Sequence, residues 1–234
     1  MSDWKQKRFW KEVGIAEAET GYAIELDGRR VKTPAKAALV VPTQSMANAI
    51  AAEWDAQTGA VNPQTMPFTR SANAAIDKVA IQHAEVADML AGYGDSDLLC
   101  YRAETPAKLA RRQAEQWDPA LDWAALDLGA RLEPRVGVIH APQDVVELAK
   151  LTRRVHALNN FQLAAFHDLV SLSGSLILGF AAALGWRSAQ DIWDISRLDE
   201  IWQEEQWGED EEATAAALVK RGAFLHAKQV FDFS

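Results

Sequence analysis

GYAIELDGRRVKTP, residues Gly21–Pro34, decides how the fold begins. Tyr22, Ile24 and Leu26 alternate with smaller or polar residues, which is the two-residue period of a strand. Asp27-Gly28 follows where a type I′ hairpin turn needs two positive φ angles. Arg29–Thr33 is then the returning strand, stopped by Pro34. Upstream, Phe9 and Trp10 lead into Val13-Gly14-Ile15. Downstream, Ala38–Val41 is another short strand, closed by Pro42. The first third of the chain therefore reads as β-rich.

The pattern then changes to the helical period. Thr43 is placed to cap a helix reaching about Thr58, with Met46, Ala49, Ile50 and Trp54 along its apolar side and Gly59 at its end. The proline-punctuated connector Asn62–Pro67 is the expected domain boundary. It separates a β-rich N-terminal domain with one helix, residues 1–64, from a mainly helical C-terminal domain, residues 65–234. Within the latter, helices are expected over Thr69–Ala91 and from Thr105 to Trp117. Asp118-Pro119 is expected to interrupt the second before it resumes to Leu128. Further helices are expected over Gln143–Leu158, Asn159–Leu184, Ser188–Trp207 and Glu209–Phe231, with a β-like run at Val136–Ile139. Asp97–Arg102 fits a strand or a helical turn equally well. The fold class is α+β: a β-rich N-terminal region followed by a mainly α-helical C-terminal domain.

Composition narrows the functions. The net charge of −9 disfavours nonspecific nucleic-acid binding, which needs clustered Lys and Arg. Cys100 is the single cysteine, so intrachain disulfides and a four-cysteine zinc site are excluded. The opening MSDWKQKRFWKEVG lacks the apolar core and cleavage site of a secretory signal, and a cytoplasmic or already processed protein is expected. Leu169–Trp186 is uncharged but interrupted by serines and glycines, and reads as a buried core helix rather than a membrane span. No GxxxxGK, GxGxxG, HExxH or GxSxG motif occurs, and the five histidines lack metal-ligand spacing. No metal, cofactor or catalytic residue is expected. The alternative is a small-molecule enzyme with a site near Asp95, Asp97, His167 and Asp168.

One stretch stands apart. Asp191–Glu212, DIWDISRLDEIWQEEQWGEDEE, holds ten carboxylates against Arg197, so it alone accounts for the net charge. It also carries Trp193, Trp202 and Trp207. On a continuous helix Ile195, Leu198 and Trp202 share one face, with Ile192 and Ile201 at its edges. Trp193, Arg197, Glu200, Glu204 and Trp207 fall on the other. The first face reads as packing. The second reads either as a docking stripe for a basic, partly apolar partner or as a solvated acidic surface.

Eight strings, taken in order, carry a resemblance: RFWKEV (Arg8–Val13), GYAIELDGRRVKTP, AAEWDAQ (Ala51–Gln57), MPFTRSANAAIDKV (Met66–Val79), DLLCYRAETP (Asp97–Pro106), WDPALDW (Trp117–Trp123), SLILGFAAALG (Ser175–Gly185) and SRLDEIWQEEQWG (Ser196–Gly208). Together they resemble the Atp-twelve family of ATP synthase assembly chaperones. The resemblance implies a noncatalytic protein that holds the unassembled alpha subunit of the catalytic head, without ATP or metal. It implies an important acidic position within the LDEIWQEEQWG string. Glu200 is the best candidate, with Asp199 beside it, and Trp54 is implied as a further important residue. Glu200, Glu204 and Trp207, with Trp193 and Asp199 in support, are the expected partner-binding residues. Trp54, on the apolar face of its helix and expected to pack between the two regions, and Trp202 are the expected structural ones. The free protein is expected to be a monomer that neither binds nucleic acid nor inserts stably into a membrane.

Overall fold

The computed structural model describes residues 7–234. Met1–Gln6, which begin the segment read for a secretory signal, lie outside the described residues. The chain forms two compact units. The first takes the residues up to His83 together with Asn159–Ala164 and Val230–Ser234. The second takes Ala84–Leu158 and Ala165–Gln229. The expected α+β class is observed, with strands first and helices after them.

In the first unit, β1 (Val13–Ala18) and β2 (Gly21–Leu26) are antiparallel, with Val13 opposite Leu26 and Ala18 opposite Gly21. Asp27 and Gly28 adopt φ of 49° and 76°, as the sequence predicts for the turn. The Asp27 carboxylate also accepts the amides of Lys11 and Glu12 at 3.0 and 2.9 Å. Those two backbone hydrogen bonds hold its carboxyl below the usual range. The returning strand is shorter than expected: β3 is Arg29–Arg30, and beyond it Lys32 bridges Ala38. β4 (Val40–Val41) pairs with the other end of β2, so β2 lies between β1 on one edge and β3 and β4 on the other. The approach is close at Gly21, where a Cβ would stand 2.2 Å from the Val41 carbonyl oxygen. Only glycine fits there.

α1 (Gln44–Asp55) starts where Thr43 Oγ1 accepts the Met46 amide, and it buries Met46, Ala47 and Ile50. Trp54 is half-buried and meets Trp10 edge-on at 5.2 Å. The ring packs inside the first unit. Glu53, one residue earlier, reaches the start of α2 (Pro67–Ala74) and accepts the amides of Phe68 and Thr69 at 2.6 and 2.8 Å. A carboxylate at a helix N-terminus satisfies orphan donors and meets the positive end of the dipole. This contact ties the segment after the Asn62–Pro67 connector to α1, and the compact unit runs on to His83. α2 continues as a π-helical turn over Ala75–Val79. There Asp77 accepts the Thr33 hydroxyl at 2.6 Å and the Ala35 amide at 3.0 Å. The single helix expected over Thr69–Ala91 is therefore two, because α3 (His83–Ala91) starts anew.

The second unit is helical around one small parallel pair, β5 (Tyr101–Arg102) with β6 (Arg135–Val136). Val138 and Ile139, expected to extend that strand, are exposed and unpaired in the sheet. α4 (Ala107–Trp123) runs straight through Pro119, where an interruption was expected, and ends in a π-helical turn over Ala124–Leu128. Proline removes one ladder bond. Buried Trp117, Ala120 and Leu121 on both sides hold the helix against that loss. α5 (Val145–His156) is capped by Asp144. The long helix expected over Asn159–Leu184 breaks into α6 (Asn160–Ser173) and α7 (Leu176–Ala183), because Gly174 takes a φ of 70° and Ser175 caps the new start.

All eight residues of α7 are buried. Among the described residues no helix is long and apolar enough to cross a membrane. α7 packs on α6 at Gly179, where a Cβ would come within 2.6 Å of Val170 Cγ2. Asp97, fully buried, stands before α7: its carboxylate accepts the amides of Leu99 and Ile177, both at 3.0 Å. The remaining helices are α8 (Ala189–Ser196), α9 (Leu198–Trp207) and α10 (Glu211–Asp232).

Two outcomes follow from this packing. Gly179→Leu overfills the α6–α7 contact and should cost about 1–3 kcal/mol, seen as a lower thermal midpoint by circular dichroism. Burial pushes the Asp97 carboxyl up to about 6, against hydrogen bonds that favour its anion. Between about pH 4 and 6 the folded chain thus holds a proton that the unfolded chain has lost. Stability from this group is full below that window and is lost as pH rises through it. In urea unfolding at pH 4–8, the advantage of wild type over Asp97→Asn should shrink across the window and level off above it. A flat difference would refute the assignment.

Candidate functional site

The acidic stretch is two helices. Ser188 Oγ accepts the Asp191 amide and starts α8. The helix stops at Ser196, and Arg197 (φ −100°, ψ 13°) begins a new direction. Carbonyls left by this end find other partners. Ser196 Oγ donates to the Trp193 carbonyl at 2.6 Å, and Trp117 Nε1 donates to the Ile195 carbonyl at 3.0 Å.

The break changes the faces that a continuous wheel assigns. Ile192, Ile195 and Leu198 are buried, as expected of the packing side. Trp193, expected on the outward side, is only 4 % exposed, with its ring 5.7 Å from that of Phe224 on α10. It is a packing residue: α8 ends at Ser196 and α9 starts afresh at Leu198, so one continuous wheel does not relate the faces of the two helices. Trp202 is half-buried. Trp207 is 79 % exposed at the end of α9.

Several of the carboxylates are already engaged. Asp199 Oδ1 accepts from Gln113 Nε2 at 2.7 Å, and Gln113 Oε1 accepts the Ala103 amide at 2.7 Å. The buried amide of Gln113 therefore fixes Asp199 to α4, and Asp199 positions α9. Glu205 pairs with Arg112 at 2.6 Å, and that bond holds its carboxyl below the usual range. Glu200 pairs with Arg197, whose guanidinium lies 5.9 Å above the Trp193 ring. The Glu204 carboxylate has no hydrogen-bond or ion-pair partner among the described residues, although its backbone carbonyl accepts the Gly208 amide. It shares α9 with the exposed Trp207.

A groove of about 540 Å³ lies beside this helix. Ile195, Leu198 and Ile201 supply apolar lining, and Arg112, Gln116, Arg187, Asp191 and Asp194 supply the polar lining. The two cations and two anions balance locally, which suits a surface that reads mixed side chains more than one that concentrates a single ionic substrate. Arg112, Gln116 and Arg187 lie outside the acidic stretch and carry no motif, so nothing local in the sequence assigns them here.

The residues of the enzyme alternative have structural duties. Asp97 is enclosed and spends both oxygens on backbone amides. Asp95 accepts the Gln143 amide at 2.8 Å and faces His140 at 3.4 Å. His167 and Asp168 bond to each other at 2.9 Å, which raises the histidine above its ordinary value. Burial pushes the Cys100 thiol up to about 12, far from a reactive thiolate. Among the described residues no group of three His, Cys, Asp or Glu is placed to hold a metal.

The family model described as ATP12 chaperone protein matches residues 7–125. The crystal structure of Atp12 from Paracoccus denitrificans is 49 % identical, covers 99 % of both chains and superposes with a TM-score of 0.96. An aspartate-to-lysine mutant of Paracoccus denitrificans Atp12p is equally similar, with a TM-score of 0.97 and 99 % of both chains covered. The mitochondrial protein atp12 of Schizosaccharomyces pombe is 29 % identical over 219 residues, 88 % of this chain and 75 % of that protein. This chain belongs to the ATP12 chaperone family. The acidic stretch lies outside the residues that the family model matches, but within the extent of the Paracoccus structures.

The hydrogen bond from Trp117 gives a direct check on how α8 is held. Trp117→Phe keeps most of the ring volume and leaves the Ile195 carbonyl unsatisfied, so unfolding in urea should show a loss of about 1–3 kcal/mol. An unchanged midpoint would mean that the carbonyl has another partner.

Proposed function

We propose that this chain is an assembly chaperone of ATP synthase that binds the unassembled alpha subunit in the cytoplasm and releases it to beta. Membership of the ATP12 chaperone family supports the chaperone class. The observation that carries the docking site is on α9: an exposed indole, Trp207, on the same helix as an unpartnered carboxylate, Glu204. A subunit destined for a ring presents large apolar interfaces while alone, and these drive aggregation or wrong pairing. A chaperone covering such a face must also let go. Long-range charge brings the partners together, while a few aromatic anchors supply contact energy without an irreversible grip.

Glu204 and Trp207 are the contact residues in this reading, and Glu200 joins them by exchanging Arg197 for a cation of the client. Asp199 acts through Gln113 by holding α9 in place. Trp193 supports the surface from beneath, against Phe224. Binding is one protein to another, with no cofactor, and the free chaperone is a monomer.

The test is capture of the client. The chain should retain alpha, and not beta, from cell extract, with less alpha retained as salt rises. Glu200→Lys should weaken binding of purified alpha by a few kcal/mol with an unchanged melting temperature. Wild-type affinity in that variant would defeat the site assignment, and capture of beta alone would defeat the function.

A further inference from the structure

α10 is dressed the wrong way round for a helix that faces only water. Through its first turns the positions directed at the protein are Thr214, Ala217 and Arg221, all half-buried, before Phe224 and Ala227 take over as buried residues. Arg221 is held there by its hydrogen bond to Gln190. The outward positions Ala215, Leu218, Val219 and Gly222 are all exposed, with Leu218 at 58 % and Val219 at 74 %. Their spacing of three, one and three residues puts them on one stripe. A solvated helix shows its polar face outward. This one shows a bulky aliphatic pair with a small residue at either end.

We infer that this stripe is a second docking surface, shaped for a basic amphipathic helix of the client; the inference rests on the chaperone function proposed above and extends it to an element which that reading does not use. Helical backbone has no free edge to offer an extended segment, so recognition here must come from side chains at helical spacing. Ala215 and Gly222 let a second helix approach closely on either side of the Leu218–Val219 ridge. Charge names the flanks of that helix. Glu211 and Glu212 stand one turn ahead of Ala215, with Glu209 just before them. None of these three carboxylate side chains has a partner among the described residues. They call for Lys or Arg beside the aliphatic stripe of the occupant. A second copy of this chain fits poorly, since each copy carries a net charge of −9.

Photo-crosslinking in the full chain tests this. Benzoylphenylalanine is placed at position 219 in one preparation and at position 204 in another, and each is irradiated with purified alpha subunit. Position 219 should capture a helical segment of alpha whose aliphatic residues follow the same spacing, flanked by Lys or Arg. Capture from 204 but not 219 overturns the inference and leaves the chaperone function standing. So does capture from 219 of an acidic segment, an extended segment or another copy of this chain. If alpha is not retained at all, the proposed function fails and the inference with it. In parallel, Val219→Lys should keep the wild-type melting temperature, since the side chain is exposed, and lose about tenfold in affinity for alpha. Unchanged affinity overturns the inference as well.

Discussion

The indole of Trp117 is the contact on which the arrangement of the site depends. The ring is fully buried on α4, Arg102 lies 5.3 Å over it, and its N–H reaches the Ile195 carbonyl at 3.0 Å. That carbonyl belongs to the last turn of α8, where the helix supplies no amide of its own. With Trp193's carbonyl taken by Ser196 and Asp194's by the Arg197 amide, three of the last four carbonyls of α8 have named partners. The chain can turn at Arg197 with those three acceptors met. α9 therefore sets out in its own direction, with Glu204 and Trp207 on it.

Around that contact the molecule divides its acids by task. Asp97 and Glu53 serve helix starts from within the protein, where burial raises both carboxyls and amide donors compensate. Asp199 and Glu205 tie α9 to α4 through Gln113 and Arg112. The carboxylates of Glu204, Glu209, Glu211 and Glu212 remain without partners among the described residues. An acidic stretch counted as one block is thus two populations, one structural and one available. The net charge alone does not separate them, because a carboxylate's role depends on what stands opposite it.

The strands and the turn between β2 and β3 were legible because their signals are local. Asp27-Gly28 adopts the two positive φ angles for reasons internal to the turn, and alternation along Tyr22–Leu26 needs only the pleat. Where reading and structure part, the deciding feature is one that periodicity does not report. Pro119 stays inside α4 because its neighbours are buried by distant elements. The helix expected over Asn159–Leu184 divides at Gly174, whose positive φ no periodicity reports.

The sequence by itself determined the α+β order, the hairpin register, the cap at Thr43 and, through eight ordered strings, the family. It also marked Asp191–Glu212 as the most unusual surface of the chain. Only the tertiary structure decided which of those residues face solvent. A helical wheel relates positions only while the helix is unbroken, and just before the break at Arg197 the Ile195 carbonyl is met by an indole 78 residues earlier. Trp193 went inward against Phe224 and Trp207 stayed out, although both indoles fall on the same side of the wheel. Burial is a property of the partner as much as of the residue, and Trp193 meets its partner, Phe224 on α10, only in the fold.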